Sequence, residues 1–243
     1  MKPQKTQSTN TIRYGEYARK GDYHKKIDKK WRYYPVYLAK MDLICKFLDN
    51  WPRNKPVLDV GCGEGILVRK YRSQGYTISG LDSNYQSIYV IKDDIRHTKL
   101  ESSSYDLVLC LDVLEHLSYQ DQEKAIAEIK RILKKNGIFV LAVPNLAHFA
   151  SRLSFMFSGR LIRTSTIDRH IGDRPMVEYE DLLKRYFIIY KKRGIFPTFP
   201  IISLLTYYFP GKIMWLHKLV NKFFAYPNWC FLNIFFCKKQ CLL

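Results

Sequence analysis

The sequence predicts an α/β fold, a doubly wound and mostly parallel sheet, and three observations predict it. Apolar runs of strand length alternate with helical periodicity through the middle of the 243-residue chain. One run breaks into a glycine-rich turn, Gly61-Cys62-Gly63-Glu64-Gly65, directly before a helical pattern. A second strand pattern ends in Asp82, about 20 residues beyond the turn, where such folds place an acid for a ribose diol. A chain of this length holds one full core with appendages rather than two independent domains.

Each element follows from its local pattern. Val36, Ala39, Leu43, Ile44, Phe47 and Leu48 recur at helical spacing over 36–48, and Asn50, Pro52 and Pro56 stop that helix. Residues 57–60 read as the first strand, 66–72 as the next helix and 77–81 as the second strand. Only 83–88 separate it from a third strand at 89–91, too short for an ordinary crossover, so a helical stub is expected there. A strand at 107–110 follows. The helix over 122–133 carries Ala125, Ile126, Ile129 and Ile132 on one face, and Asn136-Gly137 is expected to end it before a strand at 138–143. Farther on, the pattern gives a helix within 146–157, a short helix over 178–186 and a strand at 187–190. The expected organisation is a flexible basic segment over 1–35, a ligand-binding domain over 36–194 with a substrate cap inserted around 146–180, and a basic, aromatic-rich C-terminal extension over 195–243.

The glycine turn and its acids narrow the ligand. Glycines at alternate positions leave a floor of bare main chain, but the spacing is G-x-G-x-G and Ile66 stands where a dinucleotide site wants its third glycine. That argues against a pyrophosphate. Asp59, at the end of the first strand, would repel a phosphate and suits a cationic amino-acid group. A positively charged, phosphate-free nucleoside fits both observations.

Charge and composition bound the partners. The formal net charge is +18, and no acid follows Asp181, whereas ten lysines and arginines do. Such a balance favours anionic partners, whether nucleic acid, a phosphorylated substrate or acidic lipid. The stretch 195–236 mixes many Trp, Tyr and Phe residues with lysines, and prolines and lysines interrupt it too often for a spanning helix of about 20 apolar residues. It reads either as a cap on the core with outward lysines or as an interfacial element on anionic membrane, and the two are compatible. The six cysteines show no zinc spacing; reduced thiols and no metal are expected. The first residues lack an apolar signal region, so a cytoplasmic chain is expected, peripheral at the membrane only on the interfacial reading of the tail.

Five segments in order carry a family resemblance. Val57 to Gly65, Leu81-Asp82, Lys92-Asp93-Asp94-Ile95, Tyr105 to Leu117 and Glu128 to Val140 together resemble the class I S-adenosylmethionine-dependent methyltransferases, most closely the ubiquinone-biosynthesis and O-antigen-methylating kind. The resemblance implies a Rossmann-like fold, S-adenosylmethionine as cofactor, and 36–194 as the methyltransferase domain. It implies that Asp59, Gly61, Gly63 and Gly65 border the methionine end, that Asp82 accepts from the ribose, that Asp94 with Ile95 frames the adenine, and that Leu111 lies beneath the sulfonium. Asp93 is the rival to Asp94.

If the acceptor is a hydroxyl, a base is useful, and histidine is the usual candidate near neutral pH. His116, after the fourth strand, and His148, after the next, fall at the carboxyl edge where such sheets bind ligands. His170 resembles a histidine of the O-antigen-methylating relatives, although this chain continues with Gly172-Asp173-Arg174-Pro175 where those have an aromatic pair and a threonine. His170 and His116 are the catalytic candidates. The leading reading is methyl transfer, at oxygen, to a small lipid-linked or saccharide acceptor. RNA methylation and a non-catalytic cofactor-binding subunit are the alternatives; no RNA-binding module supports the former, and nothing in the sequence sets the oligomeric state.

Overall fold

A computed structural model describes residues 12–13 and 27–240. Most of the basic segment expected over 1–35 lies outside these residues, as does Cys241. In chain order the described elements are β1 (Ile12–Arg13), α1 (Tyr34–Asp49), β2 (Val57–Val60), α2 (Ile66–Arg72), β3 (Ile78–Asp82), β4 (Tyr85–Gln86), β5 (Val90–Lys92) and β6 (Tyr105–Leu111), then a 3-10 turn at Leu114–His116. There follow α3 (Tyr119–Ile132), β7 (Leu133–Pro144), α4 (Phe149–Ser158), α5 (Met176–Lys184), β8 (Phe187–Pro197), α6 (Pro200–Tyr208), α7 (Met214–Phe224) and β9 (Cys230–Lys239).

Seven strands form one sheet in the order β5-β3-β2-β6-β7-β9-β8. From β5 to β7 neighbouring strands run parallel, and β9 lies antiparallel to both β7 and β8. This is the doubly wound α/β architecture. The interior strand β2 is buried along its whole length, which is why it reads as an unbroken apolar run save for Asp59. Helices cover both faces. On one, Ala125, Ile126 and Ile129 of α3 and Tyr179, Leu182 and Leu183 of α5 pack with Leu58, Val108 and Leu141. On the other, Ile44 and Leu48 of α1 and Leu67, Val68 and Tyr71 of α2 pack with Val57, Leu107 and Val140.

Three expectations need correction. No helical stub occupies 83–88; β4 stands there and pairs antiparallel with β1, Ile12 opposite Gln86. Six residues cannot carry a crossover, yet β3 and β5 still pair in parallel with Gly80 opposite Val90, so the chain turns back through a Ser87–Val90 bridge instead. Asn136-Gly137 does not end the preceding helix. That helix stops at Ile132, because Leu133 already pairs with Tyr105, and the next pair is Leu107 with Ile138. Asn136, at φ +62, and Gly137, whose added Cβ would lie 2.9 Å from the Lys134 carbonyl oxygen, shape the irregularity between those pairs.

The largest correction concerns the tail. The boundary drawn at 195 falls inside β8, and the last strand is wedged between β7 and β8 in the sheet. Along β9, Leu232, Ile234 and Phe236 join one core while Phe235 and Cys237 join the other, the two-residue alternation of a strand covered on both faces. Residues 230–239 are therefore core, and only the segment from α6 to Trp229 is an excursion from the sheet.

Candidate active site

The carboxyl ends of β2, β3 and β6 meet at the glycine turn. Gly61, Gly63 and Gly65 have φ of +67, +57 and +73, a region closed to most side chains. At Gly61 the chain also runs close to the next loop, since an added Cβ would lie 2.2 Å from Val113 Cγ2. Gly61 N–H donates to the Leu81 carbonyl at 2.7 Å, and Gly63 N–H donates to Asp82 Oδ2 at 2.9 Å. Asn84 N–H donates to Asp82 Oδ1 at 2.8 Å. The Asp82 carboxylate is thus fixed from both sides by main-chain donors.

Asp59 is buried in β2, and burial raises its carboxyl pKa to about 7, against the opposing pull of the Lys40 ammonium. A cation placed beside it would restore its charge. Bare main chain, a fixed acid for a diol and a buried acid that lacks a full countercharge fit a nucleoside with a cationic amino-acid arm.

The other predicted cofactor residues have more ordinary settings. Asp94 is gripped by Arg96, whose Nε donates to both carboxylate oxygens at 3.0 Å, and this hydrogen bonding holds the carboxyl below the usual range. Asp93 binds loop backbone, accepting from Asp94 N–H and Lys99 N–H. Ile95 packs its side chain into the core with Leu58 and Leu81. Leu111 is half-buried at the end of β6, opposite Ala142.

Beside the turn lies a cavity of about 670 Å³. Arg32, Lys40, Arg163 and Arg169 line it, with aromatic rings from Trp31, Tyr33, Tyr37 and Phe231, the hydroxyls of 164–166, and Asp112, Glu115, His116 and His170. Both catalytic candidates face one space: their rings meet edge to face with centroids 4.7 Å apart. His116 Nδ1 is 2.8 Å from the Arg169 carbonyl oxygen, which can only accept, so Nδ1 carries the proton and Nε2 the lone pair. Solvent reaches this ring through the cavity, yet the protein packed around it lowers its pKa, so it is neutral at physiological pH. His170 Nδ1 lies 2.8 Å from Thr164 Oγ1 and 3.1 Å from Asp173 Oδ1. Glu115, His116 and His170 also offer atoms within 4.8 Å of one another, a spacing that a divalent cation could bridge. His148 stands apart from this cluster. It caps α4, Nδ1 accepting from Ser151 N–H at 3.3 Å, and bonds Thr198.

Sequence reasoning missed two positioning residues. Lys40, 4% exposed, pairs with Asp112, a residue at φ +57 just beyond β6. Its signal was present: Val36, Lys40, Ile44 and Leu48 form the buried i, i+4 stripe of α1, and a lysine on such a stripe needs a partner. Gln122 is wholly buried. Its Nε2 donates to the carbonyls of Leu114, Leu117 and Gly172 at 2.9, 3.2 and 2.7 Å, while its Oε1 accepts from Arg174 Nε at 2.7 Å. It staples the turn bearing His116 to the loop bearing His170. Gly172 permits the contact, since an added Cβ would fall 2.0 Å from the Leu117 carbonyl oxygen.

Comparisons with known proteins bear on the family and the fold. A family model described as a methyltransferase domain matches residues 28–184. The ubiquinone biosynthesis O-methyltransferase of Rickettsia typhi is 31% identical over 102 residues, 37% of this chain and 41% of that one. An uncharacterised protein of Methanocaldococcus jannaschii is 32% identical over 111 residues, 44% and 48% of the respective chains. The chain spans less than half the length of these curated relatives. Among solved structures, a SAM-dependent methyltransferase from Archaeoglobus fulgidus superposes with a TM-score of 0.57 at 17% identity, covering 90% of this chain and 100% of that one. The 1,6-didemethyltoxoflavin-N1-methyltransferase of Burkholderia thailandensis, solved with S-adenosylhomocysteine, gives 0.52 at 15%, covering 90% and 84%. These likenesses show the fold.

Proposed function

This chain belongs to the S-adenosylmethionine-dependent methyltransferase family, and from that premise we propose that it methylates the hydroxyl of a small acceptor carrying an anionic group, of lipid-linked or saccharide type. The observation that carries the reading is the cavity beside the glycine turn: it has the volume of a small-molecule site, a neutral histidine and four cationic side chains, of which Lys40 is paired with Asp112 and Arg163 with Asp173 at 3.6 Å. The cavity adjoins the cofactor side, because Lys40, in its wall, is the cation that Asp59 feels.

When bound, S-adenosylmethionine supplies a methyl group on positively charged sulfur, an electrophile that needs alignment more than activation. Asp59 and the main chain of Gly61, Gly63 and Gly65 would hold its amino-acid end, and Asp82 its ribose. Asp94 and Ile95 are assigned to the adenine and Leu111 to the sulfonium region. Arg163 and Arg169 hold the acceptor's anionic group, and the aromatic wall excludes water. His116 Nε2 takes the hydroxyl proton, its tautomer fixed by the Arg169 carbonyl; His170, oriented by Asp173, is the second base of the pair.

Isothermal titration with S-adenosylmethionine tests the first half, and absence of heat at the folded chain overturns it. Transfer of radiolabelled methyl to anionic hydroxyl compounds, set against their neutral analogues, tests the second. Histidine replacement sharpens it: His116→Gln should lower turnover about 100-fold or more with cofactor affinity unchanged. Unchanged turnover in both His116→Gln and His170→Gln would remove the base assignment.

A further inference from the structure

We infer that the α6–α7 excursion is a membrane-docking surface for anionic lipid. Its two faces differ sharply. The inner face is anchored: His217 Nε2 bonds Thr206 Oγ1 at 2.9 Å and so ties α7 to α6, and Asn221 Oδ1 accepts from Phe196 N–H at 2.7 Å. The His217 ring also stacks on Phe196 with centroids 4.4 Å apart. Ile213 and Val220 are buried on the same side.

The outer face is apolar and exposed. Ile201, Leu204 and Tyr208 recur along α6, and Trp215, Leu219 and Phe223 along α7, at the three- and four-residue spacing of a single helix face. Ile201 is 76% and Trp215 68% exposed. Scattered exposed apolar residues are ordinary, but a stripe on each of two adjacent helices marks an interaction site.

Charge selects the occupant. Lys212, Lys218 and Lys222 are exposed beside these stripes, and no acid occurs in the sequence after Asp181. Lys222 lies over the Phe223 ring and Lys212 over the Phe209 ring, at 5.4 and 5.9 Å, so ammonium heads sit directly against aromatic bodies. Aromatic anchors with flanking lysines match the headgroup boundary of an anionic bilayer, where an amphipathic helix lies in the interface. No helix among the described residues is long and apolar enough to cross a membrane, so these helices lie along it. The surface reaches the cavity as well: exposed Arg32, in the cavity wall, lies 5.9 Å from the Tyr207 ring of α6. A chain seated this way turns that wall toward the lipid.

Co-sedimentation of the full chain with phosphatidylcholine vesicles, with and without phosphatidylglycerol, tests the inference. The chain should partition onto the anionic vesicles and be released by salt. Lys218→Gln with Lys222→Gln should lower partition about 30-fold, from about 1 kcal/mol per lysine. Trp215→Ser with Phe223→Ser should abolish it, with circular dichroism and thermal midpoint unchanged because both side chains point outward. Absence of partition by the folded wild type, or equal partition onto neutral vesicles, would overturn the inference. So would a wild-type dimer, seen in sedimentation velocity, that dissociates on Trp215→Ser with Phe223→Ser while vesicles bind neither protein; a second copy would then cover the face.

Discussion

The carboxyl edge of β2, β3 and β6 and the outer face of α6 and α7 depart from ordinary burial in opposite directions. At the first, Asp59, Asp82, Glu115 and Lys40 are buried; at the second, Ile201, Trp215 and Phe223 are exposed. Buried charge and exposed apolar surface each raise the free energy of the isolated fold, and each is relieved by a different class of ligand. The cofactor edge is short of a cation, as the raised pKa of Asp59 records, while the helical excursion is short of apolar cover. The first departure is one of charge, the second one of apolar area.

The strongest way to break this comparison is Asp59→Asn. Removing one partner of a buried charge pair costs about 2–5 kcal/mol, so affinity for S-adenosylmethionine should fall at least about 30-fold by titration calorimetry. The ligand-free fold should gain. A carboxyl whose folded pKa is raised to about 7 loses stability as pH rises from its unfolded value through 7, so the variant should outlast wild type in thermal unfolding at pH 8. An equal loss of stability and binding would show that Asp59 is structural.

Gln122→Ala comes next. It takes the side-chain donor from the Leu117 carbonyl and one of two donors from the carbonyls of Leu114 and Gly172, which keep Leu117 N–H and the Tyr179 hydroxyl, and denaturant unfolding should report about 1–3 kcal/mol of lost stability. Because the staple sets His116 against His170, turnover should fall while cofactor affinity holds; parallel loss of both would confine Gln122 to folding.

A smaller effect follows acidification. Burial lowers His148 and His217 from 6.5 to about 4. Depressed folded pKa values mean that the unfolded chain takes protons first, so stability is full above 6.5 and declines as pH falls toward 4. Each ring should cost about 1 kcal/mol by pH 5.5, read as a lower denaturant midpoint than at pH 7. Read in the Asp59→Asn variant, which removes that acid's opposite pH trend, an unchanged midpoint would show that neither ring is kept neutral. The smallest effect distinguishes the two sides of α7: Leu219→Ser, on the outer face, should shift stability by no more than about 0.5 kcal/mol, whereas Val220→Ala, on the inner face, should cost about 1 kcal/mol or more. Equal losses would mean that the outer stripe is covered by the chain itself.

Local pattern carried much of the fold. The bounds of α2 match the helix read at 66–72 because a glycine at its start and helical periodicity within it are both local signals. The ends of β2 and β3 were legible for the same reason, and with them Asp59 and Asp82. The fate of 83–88 was not, because β4 exists only by pairing with Ile12, more than 70 residues away. Nor was the staple at Gln122, whose three carbonyl partners include one 50 residues distant. His148 and His116 occupy equivalent places in the sequence, each after a strand; only the Thr198 and Ser151 contacts of the former reveal a cap rather than a base.

By itself the sequence determined the strand-turn-helix nucleoside site, the doubly wound core and the purely cationic end of the chain, since these depend on residue type and short-range spacing. Tertiary structure alone decided that the last strand enters the sheet between β7 and β8, that Lys40 answers Asp112, and that His116 and His170 share one cavity. Those contacts join segments separated by tens of residues, where periodicity carries no information and only the packing of the two cores selects the partner.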